Sequence, residues 1–404
     1  MVALLIITAY NRYDKLEWSN LYKRGIVYML KVLLAGGGTA GHVNPALAIA
    51  EIIKENYPDA EICFAGNPEK LEAKLVPKAG YRFEPLRIEG FQRQINAENI
   101  KRNLRAGMYL LRSGSRCKEI IKGFKPDLVI GTGGYVSGPV VRTAAKMGIR
   151  TAIHEQNAFA GVTNKILSKK VDVVMMTVEE SRKNFPDAKK CVVTGLPVRG
   201  GFGRMSKAEA RKKLGIPEDA QVVLSAGGSL GSKVLNENIM KLFKWYVKEG
   251  REVWHIHSYG TYKDYANFIE DCEKQGIKIR GNKHFMVDSY VDMPKAMAAC
   301  DMIITRCGAA SLAEIEAMGR CSVLIPSPWV AENHQYHNGM VLQNAGAGVV
   351  IEEKDLTEEK FIGAVRDYLD HPDKLRECSE KAASLHIKDT KDRIMNCLRP
   401  LIKA

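Results

Sequence analysis

Short apolar runs alternate along this chain with stretches whose apolar residues recur every three or four positions. Lys31–Ala35 reads as a strand. In Asn44–Asn56 the spacing of Leu47, Ile49, Ala50 and Ile53 predicts a helix with one buried stripe. Strands follow at Glu61–Ala65 and Asp127–Ile130, a helix at Ser137–Met147, and a strand at Thr151–Ile153 that ends at His154. Val171–Thr177 and Cys191–Thr194 are further strands. The scheme restarts with strand Val222–Ala226, helix Lys233–Val247 and strand Val253–His257. It continues with strand Met302–Thr305, helix Ser311–Ala317 and strand Ser322–Ile325, and turns helical from about Glu358. Apolar strands alternating with helices over short connections predict an α/β chain with parallel sheets covered on both faces. The restart predicts two Rossmann-like, doubly wound domains facing a cleft, joined by a hinge at Leu196-Pro197-Val198-Arg199-Gly200-Gly201. A length of 404 residues, too long for one ordinary core, agrees. Met29-Leu30 opens directly onto the first strand, so residues 1–28 are expected to be an extension outside the fold.

Composition narrows the partners. A formal net charge of +14 points to an anionic partner or to plain solubility. Nine cysteines show no C-x-x-C and no Cys/His zinc spacing, which suits a reducing compartment. No apolar run reaches the roughly 18 residues of a membrane span. Met1–Tyr10 lacks the basic flank and cleavage site of a signal peptide. Between Lys70 and Lys125, basic residues (Lys74, Arg82, Arg87, Arg93, Arg105, Arg112) interleave with apolar ones (Val76, Phe83, Phe91, Met108, Leu111). Such a band suits anionic lipid headgroups. No nucleic-acid-binding module accompanies it, so no nucleic acid is expected.

Three glycine-rich turns each join a strand to a helix: Gly36-Gly37-Gly38-Thr39-Ala40-Gly41, Gly131-Thr132-Gly133-Gly134 and Gly227-Gly228-Ser229-Leu230-Gly231. Glycine lets backbone approach an anion, and the N–H groups and dipole of the next helix hold it. The first turn matches the dinucleotide fingerprint, but the second strand ends Phe64-Ala65-Gly66-Asn67, without the acidic residue that would hold the ribose. His42, just past that turn, is a candidate general base; a lone histidine there more often packs locally, but the carboxyl edge of a parallel strand favours a site. His154-Glu155-Gln156-Asn157 at a strand end reads as a site more than as core, with Asn157 able to donate and accept to a sugar hydroxyl. After Thr305-Arg306-Cys307-Gly308, Glu314 is placed to accept from a ribose, whereas Glu316 reads as a surface carboxylate. Pro326–Gln335 is a proline-shaped loop ending in polar groups suited to sugar recognition. With no D-x-D to present a divalent ion to a diphosphate, no metal and no cofactor are expected.

Together these segments resemble the MurG family, glycosyltransferases of GT-B fold that add N-acetylglucosamine to lipid I in peptidoglycan synthesis. The resemblance rests on Gly-Gly-Gly-Thr-Ala-Gly-His-Val-Asn-Pro (36–45), Gly-Gly-Tyr-Val-Ser-Gly-Pro (133–139), His-Glu-Gln-Asn (154–157), Pro-Val-Arg (197–199), Gly-Gly-Ser (227–229), Gly-Ala-Ala-Ser-Leu-Ala-Glu-Ile (308–315) and His-Gln (334–335), in family order from Met29 onward. It implies a membrane-associated acceptor domain at 29–198 plus 386–404 and a UDP-GlcNAc domain at 199–385. His42 then matches the candidate base, and Thr39, Ala40, Gly41 and Tyr135 lie on the acceptor side. Asn157 matches a contact to the donor sugar, Arg199 and Ser229 groups near the nucleotide phosphates, the Tyr290 backbone the uracil reader and Glu314 the ribose carboxylate. His334 and Gln335 match the loop holding the GlcNAc hydroxyls. The implied partners are UDP-GlcNAc, lipid I, the anionic inner face of the bacterial plasma membrane, and cell-wall or division-complex proteins. Leu196 and Leu230 depart from the family, which usually has Asn and often Gln there. Two other readings stand beside this one: a GT-B transferase for another glycolipid acceptor, and a non-catalytic membrane scaffold.

Overall fold

The computed structural model describes residues 29–90, 97–198 and 200–402; the 1–28 segment, Arg199, and Phe91 and Arg93 of the basic band lie outside the described residues. Among the described residues the strands form two sheets, both parallel throughout. The first has the order β3-β2-β1-β4-β5-β6-β7, with β1 Lys31–Gly36, β2 Glu61–Gly66, β3 Arg82–Pro85, β4 Leu128–Gly133, β5 Arg150–Glu155, β6 Val173–Met176 and β7 Cys191–Val193. The second has the order β10-β9-β8-β11-β12-β13, with β8 Val222–Ala226, β9 Trp254–Ser258, β10 Phe285–Asp288, β11 Met302–Thr305, β12 Cys321–Leu324 and β13 Val349–Val350.

In each sheet the strand order reverses once, between β1 and β4 and between β8 and β11. Connections on either side of such a point leave for opposite faces and open a crevice at the carboxyl ends of the strands. The first two glycine turns follow β1 and β4, the third follows β8, and the Arg306-Cys307-Gly308 loop follows β11. These four turns therefore emerge at the two switch points, whereas the 154–157 and 326–335 segments follow the neighbouring strands β5 and β12.

Each sheet is sandwiched between apolar layers. Leu33, Val129, Ile153 and Val174 face one way in the first sheet, and Val32, Leu34, Ile130 and Met175 the other. The last helix, Thr390–Leu398, closes that second layer with Ile394, Met395 and Leu398, so the chain returns to the first sheet after building the second. In the second sheet Val223, Ile304 and Val323 pack under helix Lys233–Lys248, while Leu224, Ile303 and Leu324 face Met297, Leu312 and Ile315.

Two helices begin earlier than the apolar spacing predicts. Helix Ala40–Asn56 starts four residues before Asn44, with Thr39 as its N-cap, so Ala40 and Gly41 belong to its first turn and not to a loop. Helix Gly134–Lys146 begins directly after β4 and carries Pro139 near its start. The Lys70–Lys125 band divides: Val76 is core, Tyr81 packs on Phe64 at 5.4 Å, and much of the rest lies on the 28-residue helix Ala97–Phe124. Among the described residues no helix is long and apolar enough to cross a membrane.

Candidate active site

The first two glycine turns lock together. A Cβ on Gly36 would collide with the Thr132 hydroxyl, and one on Gly134 with the Gly37 carbonyl. Gly133 and Gly134 hold φ of +103° and +78°, a region that favours glycine. A Cβ on Gly133 would lie 2.7 Å from His42 Nδ1. These glycines thus allow close packing around one imidazole.

His42 is half-buried in the first turn of its helix. Its Nδ1 lies 3.1 Å from the Thr132 carbonyl and 3.3 Å from Gln156 Oε1. Both neighbours only accept, so Nδ1 carries the proton and Nε2 keeps the lone pair. Gln156 is fixed in this sense because its Nε2 donates to the His154 carbonyl at 2.8 Å and meets His154 Nδ1 at 3.1 Å. His154 Nε2 in turn donates to the Gly195 carbonyl at 3.0 Å, beside the hinge. One hydrogen-bonded chain therefore runs from hinge to His42.

The reading of 154–157 as a polar site needs correction. His154, Glu155 and Gln156 are buried, and burial pushes the His154 imidazole down to about 4. Glu155 spends its carboxylate on the next loop, accepting from Asn157 N (2.9 Å), Gly161 N (3.1 Å) and Asn164 Nδ2 (2.9 Å). Half-buried Asn157 gives its Nδ2 to Glu155 and accepts from Asn338 Nδ2 across the cleft at 3.1 Å. Asn338 Oδ1 also takes Ala158 N at 2.8 Å, and Phe159 stacks on His337 at 4.9 Å. Asn338 was not apparent in the sequence; its bonds join positions about 180 residues apart.

On the facing wall, the third turn is braced from behind. Thr261 N and Oγ1 donate to the Ser229 carbonyl, and Tyr262 N to that of Leu230. Ser229 is exposed, and so is Leu230 at 64 %. Helix Lys233–Lys248 follows, capped by Ser232, whose hydroxyl accepts from Arg306 Nη2 at 2.6 Å; Glu353 pairs with the same guanidinium at 2.7 Å. Helix Ala309–Met318 starts at Gly308 with no side-chain cap. Its first-turn N–H groups suit an anion. Glu314 sits on this helix, 4 % exposed. Tyr290 is exposed, and its N–H leans toward Asp288 Oδ1 at 3.4 Å.

His334 and Gln335 begin helix His334–Asn344. His334 Nδ1 donates to the Ala331 carbonyl at 2.8 Å. Burial lowers its affinity for a proton, and His42 and Glu155 both act on it electrostatically, which brings the walls together at this point. Gln335 Oε1 accepts from Ser327 N at 2.9 Å, fixing the Pro326–Val330 loop. Glu316 is not a surface carboxylate. It lines an interdomain cavity of about 170 Å³ with Val178, Glu180, Leu196 and Val341, and burial, then Glu180, pushes its carboxyl up to about 7. Among the described residues no group of three or more His, Cys, Asp or Glu is gathered to hold a metal.

The chain matches the glycosyltransferase family 28 N-terminal domain over residues 32–176 and the glycosyltransferase family 28 C-terminal domain over residues 222–394. It belongs to glycosyltransferase family 28. It is 40 % identical over 375 residues to the UDP-N-acetylglucosamine--N-acetylmuramyl-(pentapeptide) pyrophosphoryl-undecaprenol N-acetylglucosamine transferase of Acetivibrio thermocellus, covering 93 % of this chain and 99 % of that one. A protein of the same name from Desulfitobacterium hafniense is 41 % identical over 370 residues, 91 % of this chain and 99 % of that one. Among solved structures, Acinetobacter baumannii MurG superposes with a TM-score of 0.72 at 26 % identity, over 92 % of this chain and 99 % of that chain. The family-28 matches fall one on each sheet.

Proposed function

We propose that this chain is the transferase that moves N-acetylglucosamine from UDP-GlcNAc to the 4-hydroxyl of the muramyl sugar of lipid I, giving lipid II. The full-length likeness to relatives bearing that name supports the reading. The observation that carries the mechanism is the His42 tautomer: with Nδ1–H held by Thr132 and Gln156, Nε2 is the nitrogen that can take a proton.

In this mechanism the acceptor oxygen attacks the anomeric carbon from the face opposite the diphosphate. The new C–O bond forms as the bond to UDP breaks, the hydroxyl proton passes to His42 Nε2, and the α-linked sugar becomes β-linked. Charge that develops on the departing diphosphate meets the uncapped N–H groups of helix Ala309–Met318, the third glycine turn and Arg199. Glu314 holds the ribose, the Tyr290 backbone the uracil edge, and His334, Gln335 and Asn157 the sugar hydroxyls. The acceptor side is built from Thr39 to Gly41 and Tyr135 in residues 29–198, with 386–404 packed behind, and the donor side from 199–385. The basic band seats the acceptor domain on the anionic inner face of the plasma membrane, beside other cell-wall or division proteins. Two domains closed over the donor keep water from the sugar.

The test is turnover of a purified lipid I analogue. His42→Ala is expected to lower kcat by about 10²–10⁴-fold while UDP-GlcNAc affinity stays constant. A kcat within about twofold of the parent would remove His42 as the base.

A further inference from the structure

Glu72 and Glu155 are the two most buried carboxylates among the described residues, and Glu72 is the one that reaches into a glycine turn. It opens helix Glu72–Lys78, only 1 % exposed, and no ion pair to it is found among the described residues. Its Oε2 accepts from Gly38 N at 3.0 Å and its Oε1 from Asn67 N at 3.0 Å. A Cβ on Gly37 would collide with this carboxylate, and one on Gly66 would lie 2.6 Å from Glu72 Cγ. The carboxylate is thus seated in a hollow that two glycines leave for it, at the joint between the ends of β1 and β2.

The seat lies in the first glycine turn, where a phosphate is expected from sequence. The protein fills it with its own anion. Gly38 stands at φ +87°, and its N–H is already bonded, so what this turn presents is fixed before any substrate arrives. On the turn's other side the Gly37 carbonyl abuts Gly134, and Gly133 abuts the His42 ring. A rigid path therefore runs from Glu72 through Gly37 and Gly38 to the second turn and the imidazole.

We propose that Glu72 is a positioning residue for the transfer reaction: an internal anion that holds the first glycine turn in the form that seats His42 and the acceptor. This rests on the assignment of His42 to the acceptor side. A buried carboxylate accepting two backbone N–H bonds is suited to the task, because both bonds are charge-assisted and the Asn67 donor is buried away from water. Small displacements of a reacting group cost on the order of 10²-fold in rate, so loosening the turn shows in turnover before it shows in folding.

The experiment compares Glu72→Ala and Glu72→Gln with the parent. The Ala variant is expected to lose about 10- to 100-fold in kcat/KM for a lipid I analogue, with the Kd for UDP-GlcNAc within about twofold. Sodium formate, which can re-enter the emptied seat as a two-oxygen anion, restores turnover saturably, and neutral formamide does not. Gln keeps the volume but offers one acceptor and one donor to two N–H groups, so it is impaired as well. ¹⁵N NMR of the His42 ring reads the turn without any substrate: its signal moves in both variants and returns with formate in the Ala variant. A Gln variant that behaves as the parent, equal rescue by formate and formamide, or an unmoved His42 signal overturns the proposal. If Ala does not fold, the Gln comparison decides. If the parent transfers no sugar to lipid I while the His42 signal still follows formate, the substrate assignment fails and the Glu72 assignment stands.

Discussion

The second domain is expected to lose stability as the pH falls below about 6.5, because two histidines are locked neutral in its core. His255 and His257 are both fully buried on β9, each 2.7 Å from the hydroxyl of Ser225 on β8, with Phe243 and Phe268 against their rings. Burial pushes His257 from 6.5 down to about 3, and His255 in the same direction, with His257 adding to its shift. The sign follows from proton counting. Above 6.5 both folded and unfolded chains keep these rings neutral. Below 6.5 the unfolded chain binds protons that the folded one refuses, so unfolding becomes easier until the folded value is reached. At pH 5 the unfolded ring lies about 1.5 pH units past its midpoint, which at about 1.4 kcal/mol per unit gives about 2 kcal/mol for His257, whose folded value of about 3 keeps it neutral there. His255 adds to the loss in the same direction. About 2 kcal/mol from one ring is already a large share of a typical domain's stability. Trp245 and Trp254 are buried in this same domain, while Trp329 is exposed, so tryptophan emission in urea reports its unfolding. Comparing midpoints at pH 7.5 and 5.0, the parent should show the full loss. His257→Asn, which keeps a group near Nδ1 for Ser225, should be weaker at pH 7.5 but lose about 2 kcal/mol less on acidification. Equal acid losses in parent and variant would refute the reasoning.

Three further outcomes are expected. Gln156→Leu removes the acceptor that helps hold His42 Nδ1–H and the donor to His154; kcat should fall about tenfold, the worth of roughly one net hydrogen bond, and ¹⁵N NMR should show the His42 ring sharing both tautomers. Gly134→Ala places a side chain at φ +78° and against the Gly37 carbonyl; about 1–2 kcal/mol of backbone strain adds to the clash, and both the thermal midpoint and acceptor turnover should drop. Glu316→Gln should flatten a pH dependence of domain contact: the raised carboxyl favours the closed cavity below about 4.5, and that contribution is lost as pH rises through about 7. Protection factors for amides near Val178–Glu180 and Ala313–Glu316, taken against the intrinsic exchange rate at each pH, should therefore fall from pH 5 to 8 in the parent and stay level in the variant.

What could be read beforehand followed from burial. Val222–Ala226 and Met302–Thr305 are buried at every position, and runs so dominated by apolar residues mark central parallel strands. Three of the four edge strands, β3, β10 and β13, escaped notice for the same reason, whereas β7 was read as Cys191–Thr194. β3 is half-buried at its two central positions and exposed at both ends, and β13 is two half-buried residues long. Helix Ala97–Phe124 was read as a basic band because its many basic residues obscure the apolar spacing. Among site residues, His42 was legible because position alone marks it: the carboxyl edge of a strand, just past a glycine turn. Glu72 and Asn338 were not, since the bonds that tie Glu72 to the first glycine turn and Asn338 to the facing loop span 34 and about 180 residues. Glu316 was misjudged because helical spacing cannot tell which side of a helix a second domain will cover.

The three glycine turns look alike in sequence but do different physical work. In the first, glycine makes room for an internal carboxylate and for Thr132. In the second, it supplies positive φ and lets backbone approach His42 and Gly37. In the third, Gly231 and Gly260 allow two loops to cross in contact, while Gly228 stands at φ +91° with open space where a side chain would be. Gly38 in the first turn, at φ +87°, has the same open space, so backbone can be approached at one glycine in each of these two turns. A glycine-rich turn after a parallel strand therefore marks a place where backbone is approached closely. Whether the approaching group is a phosphate or another part of the chain is decided by what the next helix brings. Where it brings a buried carboxylate, as at Glu72, that carboxylate occupies the seat a phosphate would take, and on the proposed role of Glu72 the turn serves to position His42 instead.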